Sequence, residues 1–167
     1  MSLAQEIAAL FHRDLTRLLR ELEAFPDDEA LWRTLPGVTN SAGNLALHLE
    51  GNHREYIGRQ LGGVAYSRQR DAEFARSRVP AGELIRRIGE VRELVSRVIS
   101  SLPDTRLEAV FPENILGVPG SVRQVLISLH AHLNYHLGQI DYLRRIATEG
   151  RAVEFASLAR SGDTRTL

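Results

Sequence analysis

The chain has 167 residues, of which 43% are hydrophobic and 25% charged, and its formal net charge is zero. This length suits one well-filled core, and the charge balance gives no global field that would favour nucleic acid or an anionic membrane. The absence of cysteine excludes disulfides, thiolate metal ligands and a cysteine nucleophile. The first residues, MSLAQE, lack the basic and apolar regions of a secretory signal, and no run approaches the roughly 20 apolar residues of a membrane span. We therefore expect a cytoplasmic protein.

The first predicted element is an amphipathic helix over residues 3–24. Its apolar residues recur at helical spacing, namely Leu3, Ile7, Phe11, Leu15, Leu18 and Leu22. Pro26 ends this pattern, and residues 26–40 predict a connection that includes one short turn around residues 29–32.

Ser41 is a suitable N-cap for a second helix over residues 42–61, which we expect to stop at the glycine pair 62–63. Residues 64–79 are polar and carry arginines interspersed with acidic residues. We interpret this segment as a solvated loop and not as a binding patch.

The third predicted helix, over residues 82–102, has the most regular apolar stripe of the chain, formed by Leu84, Ile88, Val91, Val95, Val98 and Leu102. Pro103 stops it. The following segment, 103–120, contains three prolines and two glycines, which is too many for a regular element.

Ser121 caps a fourth predicted helix over residues 121–149, which ends at Gly150. Residues 151–167 predict a polar tail, with a short helix around residues 153–159. Four long helices and almost no strand signal predict an all-α protein, in which residues 1–150 form a single four-helix bundle domain.

Three of the six histidines lie within the stretch HAHLNYH on the fourth predicted helix. His132 and His136 are four residues apart, so their side chains differ in direction by only about 40° and share a face that continues into the apolar stripe. Two imidazoles in this arrangement can chelate one transition-metal ion. His130 points about 200° away from His132, so we expect it on the opposite side of the helix.

A third ligand is available on the second predicted helix. His48 lies among leucines there, while His53 is rotated by about 140° and should meet different surroundings. Helical bundles build metal sites from inward side chains on facing helices, and three neutral imidazoles suit Zn²⁺, Ni²⁺ or a related divalent ion. The alternative is a set of core histidines whose ring nitrogens are satisfied by hydrogen bonds, and the pattern alone leaves both interpretations open.

The strings NLALHLEGN on the second predicted helix and HLNYHLGQI on the fourth resemble the DinB superfamily, the DinB/YfiT-like metalloenzymes. The resemblance extends over about residues 3–149 and includes the approach LWRTLPGVTNSAGNL. It implies a DinB/YfiT-like four-helix bundle with a divalent metal held by His48, His132 and His136, commonly in a homodimer. Asn52, His130 and Gln139 are further candidates that would support the ligands or line a pocket.

Members of the family that this sequence resembles include transferases that use a low-molecular-weight thiol. The resemblance therefore implies that the metal binds a cosubstrate thiol, whose thiolate attacks a small electrophile. Such a reaction does not require a cysteine in the chain itself. Metal-dependent hydrolysis is the close alternative, although it usually needs a carboxylate base and Glu50 points about 200° away from His48.

The other alternative is a non-enzymatic protein of the stress response that binds a metal or ligand without turnover. A substrate pocket would favour an enzyme over this alternative. The segment 103–120 is the candidate cover for the metal, with Phe111 and Asn114 as candidate lining residues.

Overall fold

The apolar stripes form helices in the computed structural model, which describes residues 1–75, 79–115, 117–150 and 153. The all-α prediction is confirmed, since the described residues contain no strand beyond one isolated bridge between Val110 and Ser121. The helical segments are α1 (Leu3–Glu23), α2 (Asp28–Trp32), α3 (Ala42–His53), a π-helix (Arg54–Arg59), α4 (Arg70–Phe74), α5 (Ala81–Ser100), α6 (Asp104–Glu108) and α7 (Val122–Ala147).

Serine caps determine where three of the long helices begin. Ser2, Ser41 and Ser121 each accept a hydrogen bond from the backbone of the third helical residue, whose own side chain bonds back to the backbone of the serine. This reciprocal arrangement satisfies two amide groups that have no partner within the helix. The predicted caps of the second and fourth helices are thereby confirmed.

Four helical segments surround the apolar core. Helix α1 packs against α5 and α7, and α3 packs against the same two helices from the other side. Fully buried side chains from each helix meet between them, among them Phe11, Leu49, Ile88 and Leu133. Helix α3 is buried along its whole length, so its polar residues must find their partners inside the protein.

The second predicted helix does not remain an α-helix to residue 61. After His53 the backbone widens into the π-helix, in which the amide of Gln60 donates to the carbonyl of Glu55. A β-carbon at Gly58 would lie 2.9 Å from Leu94, so glycine here allows α5 to approach closely. Apolar spacing does not distinguish an α-helix from a π-helix, so the sequence does not predict this change of helix type.

The interpretation of residues 64–79 as a solvated loop holds only in part, because residues 64–69 lack regular structure and are mostly exposed whereas the next residues are not a loop. Residues 70–74 form the short helix α4, which packs against α3 and buries Glu73. Trp32 anchors the end of the segment, because its indole donates to the carbonyl of Val79. Some charged side chains of this segment therefore lie inside the protein. Two of them, Arg68 and Glu73, contact a histidine of the site described below.

The proline- and glycine-rich segment after α5 also contains more structure than predicted. Helix α6 interrupts it, and its return to α7 is held by backbone bonds from Phe111 to Gly120 and from Val122 to Ala109. The short helix predicted around residues 153–159 falls outside the described residues. None of the described helices is both long and apolar enough to cross a membrane.

Candidate metal centre

The facing sides of α3 and α7 bring three imidazole rings together. Nε2 of His132 lies 3.2 Å from Nε2 of His48 and 3.1 Å from Nε2 of His136. Among the described residues these three histidines form the group whose ligand atoms could hold a metal ion. His48 is buried, while His132 and His136 are half-buried, so the centre lies just below the surface.

Glu73 determines which nitrogen of His48 carries the proton. Burial alone would raise the pKa of Glu73, but hydrogen bonds from Arg68 and His48 outweigh this effect and lower the pKa. The ionised carboxylate can only accept, and its Oε2 atom lies 2.9 Å from Nδ1 of His48. Nδ1 therefore donates to Glu73, although Arg68 also approaches it at 3.3 Å, and Nε2 is left with a lone pair directed at the other two rings.

Gln139 has the corresponding role for His136. Its side-chain oxygen lies 2.7 Å from Nδ1 of His136, so Nδ1 donates to the amide and Nε2 carries the lone pair. Two lone pairs, from His48 and His136, consequently point at Nε2 of His132. A carboxylate or amide that orients the far nitrogen of a ligating imidazole is the usual arrangement at protein metal sites.

His132 lies between the other two rings and is held in its neutral form. Burial lowers the pKa of His132 to about 4, and the neighbouring His136 and His48 rings add to the effect. Burial likewise lowers the pKa of His136. Nδ1 of His132 is buried and has no hydrogen-bond partner among the described residues. Neutral rings are the form in which histidine binds a metal ion.

The geometry fits a divalent cation better than it fits three hydrogen-bonded core histidines. His132 can offer a single proton at Nε2, yet two acceptor nitrogens lie within 3.2 Å of that atom. Nitrogen atoms about 2.0–2.1 Å from one zinc ion would be separated by roughly 3.3 Å at tetrahedral angles, close to the distances found here. The residues present thus fit a metal ion with three imidazole ligands.

Arg68 and Glu73 are functional candidates that the sequence pattern did not reveal. Arg68 donates to both carboxylate oxygens of Glu73 at 2.7 and 2.8 Å, and it lies over the ring of Tyr56. The ring of Phe74 lies 5.0 Å from that of His48, with the two ring planes tilted by 37°. Nothing in the sequence around Glu73 indicates that it is buried against His48, because the histidine is 25 residues away along the chain.

The other histidines do not join the centre. His130 donates to Asp14 of α1 at 2.8 Å, and Asn134 donates to the same carboxylate. His53 donates from Nδ1 to the carbonyl of Leu49, and burial lowers the pKa of His53 to about 4. Asn52 is buried, but no hydrogen bond connects it to the three rings within the described part of the chain. Of the three supporting candidates, Gln139 is the one for which the described structure shows a hydrogen bond to a ring of the triad.

The described residues of the segment 103–120 do not supply the expected cover. Phe111 is buried in the apolar core, Asn114 is exposed, and Glu113 bonds to Arg59 and Gln60 at the far end of the π-helix. His132 lies ten residues, or about 15 Å, along α7 from the end that this segment contacts.

A cavity of about 440 Å³ adjoins the centre through Gln139. Its described lining is mostly apolar and contains no charged side chain, with walls formed by Leu35, Val38, Leu45, Tyr142, Leu143 and Ile146. The opening is therefore suited to an uncharged part of a small molecule. Gln139 is shared by this cavity and by His136, so it connects a candidate substrate space with the histidines.

Comparison with known proteins agrees with this arrangement. The family model described as the DinB superfamily matches residues 10–140. The fold is similar to that of a DinB-like protein from Bacillus cereus ATCC 10987, with a TM-score of 0.63 and 20% identity over 81% of this chain and 87% of that chain. No curated protein matches the sequence. Because the family model covers most of the chain, including all three histidines of the centre, this protein belongs to the DinB superfamily.

Proposed function

We propose that the protein holds one divalent metal ion through Nε2 of His48, His132 and His136. The observation that carries the proposal is the convergence of these three atoms, with Nδ1 of His48 and of His136 each bonded to an acceptor. Core histidines packed for stability alone would not need two lone pairs directed at one neighbouring nitrogen. Three protein ligands leave a coordination position free for another molecule, which is typical of reactive rather than structural sites.

Zinc or nickel suits this ligand set best. Imidazole is a ligand of intermediate softness, and the group contains no thiolate or carboxylate that would favour copper(I) or the harder magnesium and calcium ions. The lowered pKa values of His132 and His136 keep both rings neutral at physiological pH, so a metal ion would not have to displace their protons.

The reaction that this centre supports best is transfer of a low-molecular-weight thiol to a small electrophile. A bound divalent ion would lower the pKa of a ligating thiol and favour its nucleophilic thiolate form. The residues of the chain orient the ligands, and the uncharged cavity beside Gln139 would receive the apolar part of the electrophile. The chain has no cysteine, so the thiol must arrive as a cosubstrate.

A hydrolase is less well supported, because the carboxylates around the centre are already engaged. Both oxygens of Glu73 accept hydrogen bonds from Arg68 or His48. Glu50 pairs with Arg54 and Arg87 on the other side of α3. A general base must lie within reach of the water it activates, whereas Glu73 is bonded to Nδ1 of His48, on the side of the ring away from Nε2, and Glu50 is paired with arginines.

The proposal is tested in two stages. Elemental analysis of the purified protein gives the metal and its stoichiometry, and a thiol-consumption assay then tests a panel of low-molecular-weight thiols against apolar electrophiles such as alkyl halides and epoxides. We expect metal-dependent thiol consumption that is lost in His132→Ala. A metal-loaded protein that consumes no thiol with any electrophile would leave the non-enzymatic alternative in its place. We further expect a homodimer in the cytoplasm, with a small molecule as substrate.

A further inference from the structure

The side-chain amide of Gln139 contacts the metal centre with one of its two polar atoms and leaves the other available. Its oxygen accepts from Nδ1 of His136 at 2.7 Å. Its nitrogen makes no hydrogen bond to any residue in the described part of the chain, and Gln139 forms part of the wall of the cavity of about 440 Å³. Both atoms are attached to one carbon, so a bond that fixes the oxygen also fixes the nitrogen. The N–H groups of Gln139 are therefore donors for a molecule in the cavity.

The proposed metal centre determines which way this amide is turned. With an ion at Nε2 of His136, the ring proton must stay on Nδ1. A reversed amide would then set its own N–H groups against the N–H of Nδ1, donor against donor. The inference below rests on the proposed function for this reason, since the ion keeps the donors of Gln139 directed away from His136.

The other side chains of the cavity offer nothing that favours a charged ligand. The described lining contains no charged residue. Thr39 and Tyr142 carry hydroxyl groups but are exposed, and no hydrogen bond within the described structure directs these hydroxyls or the amide of the partly exposed Asn40. Gln139 is thus the polar side chain of the described lining whose direction a neighbour fixes. An uncharged acceptor that meets this donor costs much less to bury than an unpaired charge.

The cavity extends along α7, away from the histidines. His136, Gln139 and Ile146 are separated by three and seven residues, so their side chains share one face of the helix. Ile146 lies about 10 Å beyond Gln139 along the helix axis. Val38 and the buried Leu45 contribute apolar walls from outside α7. A molecule with a polar end at Gln139 therefore meets about 10 Å of apolar surface along the rest of its length.

We propose that the cavity binds an uncharged, elongated molecule whose hydrogen-bond acceptor lies at the amide nitrogen of Gln139 and whose apolar chain extends towards Ile146. Among electrophiles for the proposed thiol transfer, a long-chain terminal epoxide has these properties, because its ring oxygen is an uncharged acceptor at the end of a chain. An alkyl halide of the same length has no oxygen acceptor. The amide lies on the Nδ1 side of His136, so the epoxide oxygen would lie beside this ring and not at the position of the metal.

Gln139 would also act on the charge that develops when the epoxide opens. The cosubstrate thiolate forms a bond to a ring carbon while the carbon–oxygen bond breaks, and the electron pair passes to the oxygen. The oxygen takes up a proton from water, which replaces the proton that the thiol released on ionising, and the product is a hydroxy thioether. A donor already directed at the oxygen stabilises its negative charge during this step.

The first experiment measures equilibrium binding to the zinc-loaded full chain in the absence of thiol, so it needs no turnover. Isothermal titration calorimetry compares a terminal epoxide with a chain of about 10 Å and the alkylcyclopropane of the same length, which has the same shape but no oxygen. We expect the epoxide to bind roughly 5- to 10-fold more tightly, as one hydrogen bond allows. In Gln139→Glu, one carboxylate oxygen still accepts from His136 and the other sets an acceptor against the epoxide oxygen, so this preference should be lost.

Gln124→Glu is the matched control, because Gln124 is an exposed glutamine of α7 whose side-chain oxygen accepts from the backbone of Ser121. This variant should keep the preference for the epoxide, and elemental analysis measures the zinc content of all three proteins. Equal affinity of the unmodified protein for the two ligands, or a retained preference in zinc-loaded Gln139→Glu, would overturn the inference and leave the metal centre intact. A protein that takes up no zinc would overturn the proposed function together with the inference.

The second experiment tests the direction of the chain with terminal epoxides of increasing length. The affinity should rise by up to about fourfold per buried methylene and level off once the chain passes Ile146. Ile146→Ser should weaken the binding of the longest epoxides several-fold and leave the shortest unaffected. Ile127→Ser is the matched control, because Ile127 is 58% exposed on α7, close to the 54% of Ile146, and lies outside the described lining.

An affinity that does not depend on chain length would overturn the inference, and so would equal effects of Ile146→Ser and Ile127→Ser on the long epoxides. Thiol consumption is measured separately with the same epoxides. A zinc-loaded protein that prefers the epoxide to the cyclopropane but consumes no thiol would overturn the proposed transfer reaction and leave the binding site in place.

Discussion

Nδ1 of His48 lies 2.9 Å from Oε2 of Glu73, and this bond directs Nε2 of His48 at His132 and His136. Glu73 belongs to α4, a short helix that packs on α3, and Arg68 binds both of its oxygens. The centre is thus more than three imidazoles. It includes a carboxylate and an arginine that hold the ring of His48 in one orientation and one tautomer.

The first prediction concerns this bond. Glu73→Ala removes the acceptor for Nδ1 of His48, and we expect zinc affinity to fall about 10- to 100-fold, as is typical when such a partner is lost. Competition with a fluorescent zinc chelator measures the change. Glu83→Ala, which removes an exposed carboxylate on α5, is the control and should leave the affinity unchanged. Equal zinc affinity in Glu73→Ala and the unmodified protein would show that Glu73 does not orient the ligand.

The second prediction concerns Gln139. Gln139→Ala should weaken zinc binding by about tenfold, because Nδ1 of His136 loses its acceptor. Gln139→Glu retains an acceptor in the same position and should restore the affinity. The same chelator competition distinguishes the two variants, and an alanine variant as tight as the glutamate variant would contradict the proposed role.

The third prediction separates the network around His130 from the metal centre. Asp14 is fully buried and accepts from Arg13, Arg17, His130 and Asn134. Burial alone would raise the pKa of Asp14, but these hydrogen bonds hold it well below its ordinary value. We expect Asp14→Asn to lower the free energy of unfolding by roughly 2 kcal/mol at neutral pH while zinc remains bound. Urea denaturation and elemental analysis measure the two quantities.

The carboxylate of Asp14 also makes the free energy of unfolding depend on pH, in a direction that follows from its pKa. Because the pKa of Asp14 is lower in the folded than in the unfolded state, its contribution to stability is fully present above the ordinary value of 3.8 and is lost as the pH falls below it. The difference in stability between the unmodified protein and Asp14→Asn should therefore shrink below about pH 4. A difference that grows on acidification would contradict this assignment.

The fourth prediction uses two glycines on different helices. A β-carbon at Gly43 would lie 2.6 Å from the ring of Trp32, which is buried and donates to Val79. We expect Gly43→Ala to destabilise the protein by about 1–3 kcal/mol, because the ring cannot move freely. Gly89→Ala meets open space on α5 and should stabilise it by about 0.5–1 kcal/mol. Urea denaturation of both variants checks the opposite signs.

Helix periodicity predicts that two of the histidines share a face, and the resemblance to the DinB superfamily implies the complete triad. His132 and His136 share a face of α7, and His48 lies on a helix that is buried on all sides. Periodicity does not identify Glu73 and Arg68, because the path of the loop and the packing of α4 on α3 bring them to His48. The π-helix after His53 could not be predicted either, because apolar residues recur at similar spacing in an α-helix and in a short π-helix.

The most direct measurement is the metal content of two histidine variants after equal exposure to zinc and removal of the excess. His132 lies at the centre of the triad, whereas His130 lies two residues away and binds Asp14. We expect about one zinc ion per chain in the unmodified protein and in His130→Ala, and close to none in His132→Ala. Circular dichroism must show the same helicity in all three. Full zinc content in folded His132→Ala, or its loss in folded His130→Ala, would contradict the assignment of the metal centre.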